Sequence, residues 1–245
     1  MKTVVIIPAR FSSQRFPGKP LVPLLGKPLI LWVAELAAQV QGTQSVYVAT
    51  ENKKIQDLVK KNGFQTILTS KEALTGTDRL AEAAQKISAD IYLNVQGDEP
   101  LVRPSDILKV REKKAKHMDS IVNAYAWMGK NEDPSDKNVP KVITNEKDEM
   151  VYMSRLALPG FKNKLLQPEQ YKKQVCIYAF SQSELFWFKN FGRKSLLESH
   201  EDIEILRFLE SGKKIRMVET ESGSLAVDTP LDIPKVERAL LKRQK

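Results

Sequence analysis

Apolar residues follow two rhythms along this chain. Short unbroken runs, Val4–Ile7, SVYVAT at 45–50 and IYLNV at 91–95, have the pattern of strands covered on both faces. Longer stretches between them repeat their apolar positions every three to four residues, as amphipathic helices do. The spacing predicts a strand at 3–8, a helix at 28–40 with Pro28 near its start, and a strand at 45–50. It continues with a helix at 52–63 that Gly63 suits as a C-terminal cap, and a short strand in FQTILT. A helix beginning near Thr77-Asp78, a strand ending in Gln96-Gly97-Asp98 and a helix at 105–116 complete the first half. Alternating strands and helices of this kind build a mostly parallel sheet with right-handed crossovers.

From about residue 120 the texture changes. IVNAYAWM alternates like a half-exposed strand, KVITN and MVYMSR follow, and QVCIYAFS reads as one more strand. Irregular polar stretches separate them. EDIEILRFLESG, 201–212, predicts one amphipathic helix, KIRMVET a late strand, SLAV a strand leading to Asp228, and TPLDIPKVERALLKRQ a terminal helix. The fold class is therefore α/β, with a central, mostly parallel mixed sheet and a smaller β lobe. One domain over 1–245 is expected, with a first part of about 1–118 and a second of about 119–245.

Composition narrows the class. With 42% apolar and 28% charged residues the chain can bury an ordinary globular core. No apolar run approaches the roughly 20 residues a membrane helix needs, and no export signal opens the chain, so a cytoplasmic protein is expected. Cys176 is the only cysteine, which excludes an internal disulfide; mid-strand, it reads as a small buried side chain. The net charge of +9 comes mostly from dispersed lysines without interleaved aromatics, so no nucleic-acid partner is expected. His117 and His200 sit in charged surroundings and read as surface residues.

The candidate chemistry clusters at strand ends. In an open parallel sheet, ligands bind outside the carboxyl ends of the strands. There the first strand runs into Arg10, Ser12, Ser13, Arg15, Gly18 and Lys19: cations, hydroxyls and backbone N–H groups in one loop, as a polyanion such as a nucleoside triphosphate requires. The loop has neither the Walker A nor the G-x-G-x-x-G spacing. Two further polar clusters, Thr75-Gly76-Thr77-Asp78-Arg79 and Gln96-Gly97-Asp98, fall at the same end of the sheet. Asp98 is the candidate ligand for Mg²⁺, with Asp228 in AVDTP the best second carboxylate.

These residues carry a resemblance. IIPARFSSQRFPGKPL, GTDRL, NVQGDEP, YMSR, IEILR and AVDTP stand in the order and approximate spacing found in the CMP-Kdo synthetases, the 3-deoxy-manno-octulosonate cytidylyltransferases. The likeness covers nearly the whole chain. It implies a Rossmann-like nucleotidyltransferase that joins CTP to Kdo, releases pyrophosphate, depends on Mg²⁺, is a homodimer and serves bacterial surface glycan assembly. By the same resemblance Ala9, Arg10, Ser12, Ser13, Lys19, Thr75, Gly76, Thr77, Arg79, Gln96 and Gly97 would hold CTP. Arg10, Arg15 and Lys19 would neutralise phosphate charge, and Asp98 and Asp228 would bind the metal. Arg155 would face the sugar's carboxylate, with Gln174, Tyr178 and Glu204 on the acceptor side. The chain also departs from that pattern: QVCIYAF replaces HLGIYGY, putting Gln174 for His and Cys176 for Gly, and Ile205 stands where the family has Gln. These departures leave a related acid, such as an amino-Kdo, open as acceptor. A different sugar nucleotidylyltransferase and a non-catalytic nucleotide-binding homologue remain the alternatives.

Overall fold

The computed structural model describes residues 1–12, 16–221 and 225–243. The chain runs β1 (Thr3–Pro8), a two-stranded hairpin of β2 (Pro23–Leu24) and β3 (Lys27–Pro28), α1 (Leu29–Gln41), β4 (Val46–Thr50), α2 (Lys53–Lys61), β5 (Gln65–Leu68), α3 (Gly76–Ala84), β6 (Ile91–Val95) and α4 (Pro104–Lys116). It continues with β7 (Ile121–Trp127), β8 (Lys141–Thr144), β9 (Met150–Ser154), β10 (Lys172–Phe180), α5 (Gln182–Phe191), α6 (Leu196–Glu201), α7 (Leu206–Glu210), β11 (Ile215–Glu219) and α8 (Ile233–Arg243).

The main sheet has the order β11-β7-β10-β6-β1-β4-β5. β1 pairs in parallel with β4 and β6, β4 with β5, and β11 with β7, while β10 is antiparallel to both β6 and β7. The smaller β part is the antiparallel pair β8–β9, hung on β10 at Lys173.

Alternation along β1 sends Val5 and Ile7 to one face and Val4 and Ile6 to the other. The first pair packs with Ile30 and Val33 of α1, Ile55 of α2 and Ile107 of α4; the second packs with Leu80 of α3, Leu185 and Phe188 of α5 and Phe208 of α7. Both faces of the sheet are thus covered, which is why its strands read as continuous apolar runs. A third cluster, Leu24, Leu29, Leu101, Val227, Val236 and Leu240, fixes α8 against the β2–β3 hairpin.

Three expectations need correction. β7 is buried from Ile121 to Ala126, because β10 and β11 flank it and helices close its faces. Its polar Asn123 is inside as well, donating to the Val175 and Ile177 carbonyls where β10 bulges. The stretch 201–212 is not one helix: α6 ends at Asp202, whose φ of 50° is left-handed, and α7 restarts at Leu206. Finally, 225–228 forms no strand. In α5, Phe188 points into the core, Trp187 packs on Phe191 and Phe208, and Phe186 is exposed.

Candidate active site

β1 delivers the first loop. Ala9 N–H continues the ladder by donating to the Ala49 carbonyl (2.9 Å), and Phe11 N–H donates to Glu51 Oε1 (2.7 Å). The loop closes where Gly18 N–H meets the Phe11 carbonyl at 2.9 Å. Gly18 has φ 71°, a left-handed turn that glycine adopts without a Cβ penalty and that starts the short helical turn carrying Lys19. Ser13 and Arg15 lie outside the described residues.

Lys19 joins the two acids. Its Nζ is 2.6 Å from Asp98 Oδ2 and 4.0 Å from Asp228 Oδ1, so residues far apart in sequence share one ammonium. Asp98 follows β6 through Gly97, where a Cβ would lie 3.0 Å from the Pro8 carbonyl oxygen and 3.2 Å from Ile30 Cδ1. Backbone of β1 cannot retreat, so Gly97→Ala is expected to cost about 1–3 kcal/mol and to displace Asp98. The check is a thermal melt beside a turnover assay: lower Tm and lower activity together. Asp228 reaches the site without a strand. Val227 N–H donates to the Asp98 carbonyl (2.9 Å), Val227 itself is gripped by the α8 cluster, and Asp232 Oδ2 accepts from the N–H groups of Asp228 and Thr229.

The second polar loop is held from behind. Thr75 caps α3, its Oγ1 accepting from Asp78 N–H and donating to Asp78 Oδ2. Gly76 and Thr77 N–H, the first amides of α3, both donate to Glu204, at 2.9 and 2.7 Å. The positive end of α3 is therefore neutralised by the chain's own carboxylate. Burial pushes the Glu204 carboxyl up, while those two amides and the Thr77 side chain pull it back. This corrects two expectations: the Gly76 and Thr77 amides are not open to a nucleotide, and Thr77 is buried. Arg79 touches the cleft but is spent inside, 3.1 Å from Glu51 Oε2 and bonded to Thr69 and Ser70; burial lowers its pKa.

Arg155, expected to face the acceptor, is tethered. Its Nε donates to the Glu201 carbonyl, Nη1 to Lys137 (2.8 Å) and Nη2 to Asp202 (2.9 Å). Three of its five N–H groups are engaged and two remain. Gln174 Nε2 donates to Tyr178 Oη (2.9 Å) and Asn123 Oδ1 (3.2 Å). Cys176 lies between them on the same face of β10, half-buried rather than fully so. Burial, with Glu99 and Asp98 close by, pushes its thiol well up, so it is neutral and poorly nucleophilic.

These elements enclose a cleft of about 310 Å³. Of the residues named from the sequence, Ala9, Arg10, Lys19, Thr75, Gly76, Arg79, Gln96, Gly97, Asp98, Arg155 and Glu204 line it, whereas Asp228 and Thr77 do not. Ser12 is exposed, and Gln174 and Tyr178 stand behind the cleft wall rather than in it. Cations from both halves of the chain surround this space with Asp98 in its wall, while Asp228 lies outside the lining and 4.0 Å from Lys19 Nζ; cations beside a carboxylate suit a polyphosphate and a hard cation together.

Residues 4–215 match the cytidylyltransferase family. The 3-deoxy-manno-octulosonate cytidylyltransferase of Escherichia coli is 36% identical over 99% of this chain and 97% of its own length. That of Geobacter sulfurreducens is 39% identical over 96% and 98%. The chain belongs to the cytidylyltransferase family. A solved CMP:2-keto-3-deoxy-manno-octonic acid synthetase complexed with CTP superposes with a TM-score of 0.90 at 34% identity, covering 99% of this chain and all of that one. The inositol-1-phosphate CTP transferase of T. maritima shares the fold alone, with a TM-score of 0.70 at 15% identity.

Against that family background the residues missed by sequence reasoning are instructive. Lys194 and Asp202 line the cleft as an ion pair of 2.8 Å, and Glu51 anchors both Phe11 and Arg79. Lys194 and Asp202 carried no signal beyond ordinary surface charge. Glu51 could have been found, because it directly follows the carboxyl end of β4, beside the first loop. His117 and His200 do not line the cleft, which offers no imidazole as a base.

Proposed function

We propose that this cytidylyltransferase transfers CMP from CTP to Kdo, giving CMP-Kdo and pyrophosphate for surface glycan (lipopolysaccharide) assembly. The observation that carries the reading is a cleft in which Arg10, Lys19, Thr75 and Asp98 come together, with Asp228 4.0 Å from Lys19 Nζ. The names of its full-length relatives supply the acceptor. The anomeric oxygen of the acid attacks the α-phosphorus as the bond to the β-phosphate oxygen breaks, and the hydroxyl proton leaves to solvent. Lys19 and Arg10 meet the triphosphate's charge, Gln96 and Thr75 flank the base, and Arg155 offers its two remaining N–H groups to the sugar carboxylate. Catalysis is then positioning plus charge neutralisation.

Two carboxylates sharing an ammonium fit Mg²⁺, which is held with phosphates by few protein oxygens. Asp98 and Asp228 would hold it. When bound it supplies charge neutralisation at the phosphates and acidifies the attacking hydroxyl. No described helix is long and apolar enough to cross a membrane, and a cytoplasmic setting is the reading that suits a CTP-consuming enzyme.

A homodimer is proposed through the segment between β9 and β10. Leu156, Phe161 and Leu166 are exposed there and Leu165 is 95% exposed, a concentration of apolar side chains that supports a contact there. Leu165→Asp is expected to convert a dimer to a monomer in light scattering, with secondary structure retained. An unchanged mass would move the interface elsewhere.

Pyrophosphate release with CTP, Mg²⁺ and a panel of 2-keto-3-deoxy acids tests the function. Kdo should turn over, and an amino-Kdo in the panel reads out the departures at Gln174 and Cys176. Release with none of the acids would overturn the reading.

A further inference from the structure

Behind the cleft lies a buried charged triad. Arg207 and Glu198 are both 0% exposed. Arg207 Nε and Nη2 donate to Glu198, each at 2.7 Å, while Nη1 and Nη2 donate to Asp78 at 2.8 and 3.1 Å; its guanidinium also lies 3.7 Å from the centre of the Phe188 ring. None of the three lines the cleft. A buried ionic cluster is a poor source of stability, since apolar side chains of equal volume often serve the fold as well. Its connections suggest another use. Asp78 Oδ2 accepts from Thr75 Oγ1 (2.7 Å), and Thr75 lines the cleft. Three residues before Arg207, Glu204 takes the amides of Gly76 and Thr77. So Thr75 to Asp78 are all held from one segment, 198–207, where α6 meets α7. The loop needs such a hold because the residues leading into it are exposed, Leu74 among them, and give it no apolar anchor.

We infer that Arg207 and Asp78 are positioning residues for the nucleotide loop: the bidentate pair sets Thr75 and Gly76 against Gln96 at the distance the ligand requires. Gly76 already packs tightly there, a Cβ at that position lying 3.3 Å from Gln96 Nε2, so a small shift of the loop changes the cleft wall. Guanidinium geometry matters because only Arg can fork two carboxylates at once. The inference rests on the proposal that this cleft takes CTP.

The triad contains its own control. Asp78 and Glu198 pair with the same guanidinium, but only Asp78 sits on the nucleotide loop. CTP is titrated calorimetrically into the full chain without acceptor, beside thermal melts of each variant. Asp78→Asn should weaken CTP binding roughly tenfold, about the worth of one charged hydrogen bond. Glu198→Gln should lower Tm at least as much as Asp78→Asn does and change CTP affinity less than about twofold. Arg207→Lys, which keeps the charge and loses the fork, should follow Asp78→Asn and serves where that variant does not fold. Equal shifts in CTP affinity from Asp78→Asn and Glu198→Gln, or none from either, would overturn the inference. A wild-type chain that bound no CTP would overturn the functional reading with it.

Discussion

Asp98→Asn and Asp228→Asn should each lower kcat for CMP transfer about 10²–10⁴-fold while the fold persists. The size follows from several kcal/mol of transition-state charge stabilisation at roughly 1.4 kcal/mol per tenfold. Persistence of the fold follows from the pairing: the Lys19 and Asp98 side chains are part-exposed, and pairs of that kind contribute only about 0–1 kcal/mol. The stereochemical change is small because Asn keeps the shape of Asp and removes only its charge. The measurement is steady-state pyrophosphate release together with a melting curve. A variant within about tenfold of wild type at unchanged Tm would remove that residue from the reacting centre.

Lys19→Met should cost about 10²–10³ in kcat/KM for CTP, the loss typical when one preorganised charged donor is removed from a reacting centre. It carries a second, opposite signature. Lys19 lies against both carboxylates, 2.6 Å from one and 4.0 Å from the other, and so competes with any cation for them. Its removal should therefore tighten Mn²⁺ binding in the absence of nucleotide. Weaker activity with weaker metal binding would mean that Lys19 merely supports the loop.

How much of this was legible in the chain differs from place to place. β1, β4 and β6 announced themselves because strands buried on both faces must be continuously apolar, and the polar residues at their ends then fell into one crevice. Asp98 was chosen on that logic. Asp228 was chosen for a wrong structural reason: SLAV looks like a strand, yet Val227 N–H goes to the Asp98 carbonyl and Val227's side chain to the α8 cluster. The helix expected over 201–212 kept its apolar period, but periodicity says nothing of the left-handed break at Asp202, where backbone carbonyls turn out to accept from Arg155. Alternation in IVNAYAWM suggested a wet face because it cannot show that Asn123 serves a β10 bulge from within. Side-chain partnerships were the least legible. Glu204 and Arg155 were read only for the acceptor they would meet; the backbone groups they also bind escaped notice, because hydrogen bonds between segments far apart in sequence leave no local pattern.

The central claim is that Asp98 and Asp228 hold a divalent ion together on bound CTP. Electron paramagnetic resonance of Mn²⁺ titrated into the chain with CTP tests it directly. Wild type should bind one ion per chain in the ternary complex, and Asp98→Asn and Asp228→Asn should each abolish that signal while the chain stays folded. Unchanged Mn²⁺ binding in either variant would contradict the account.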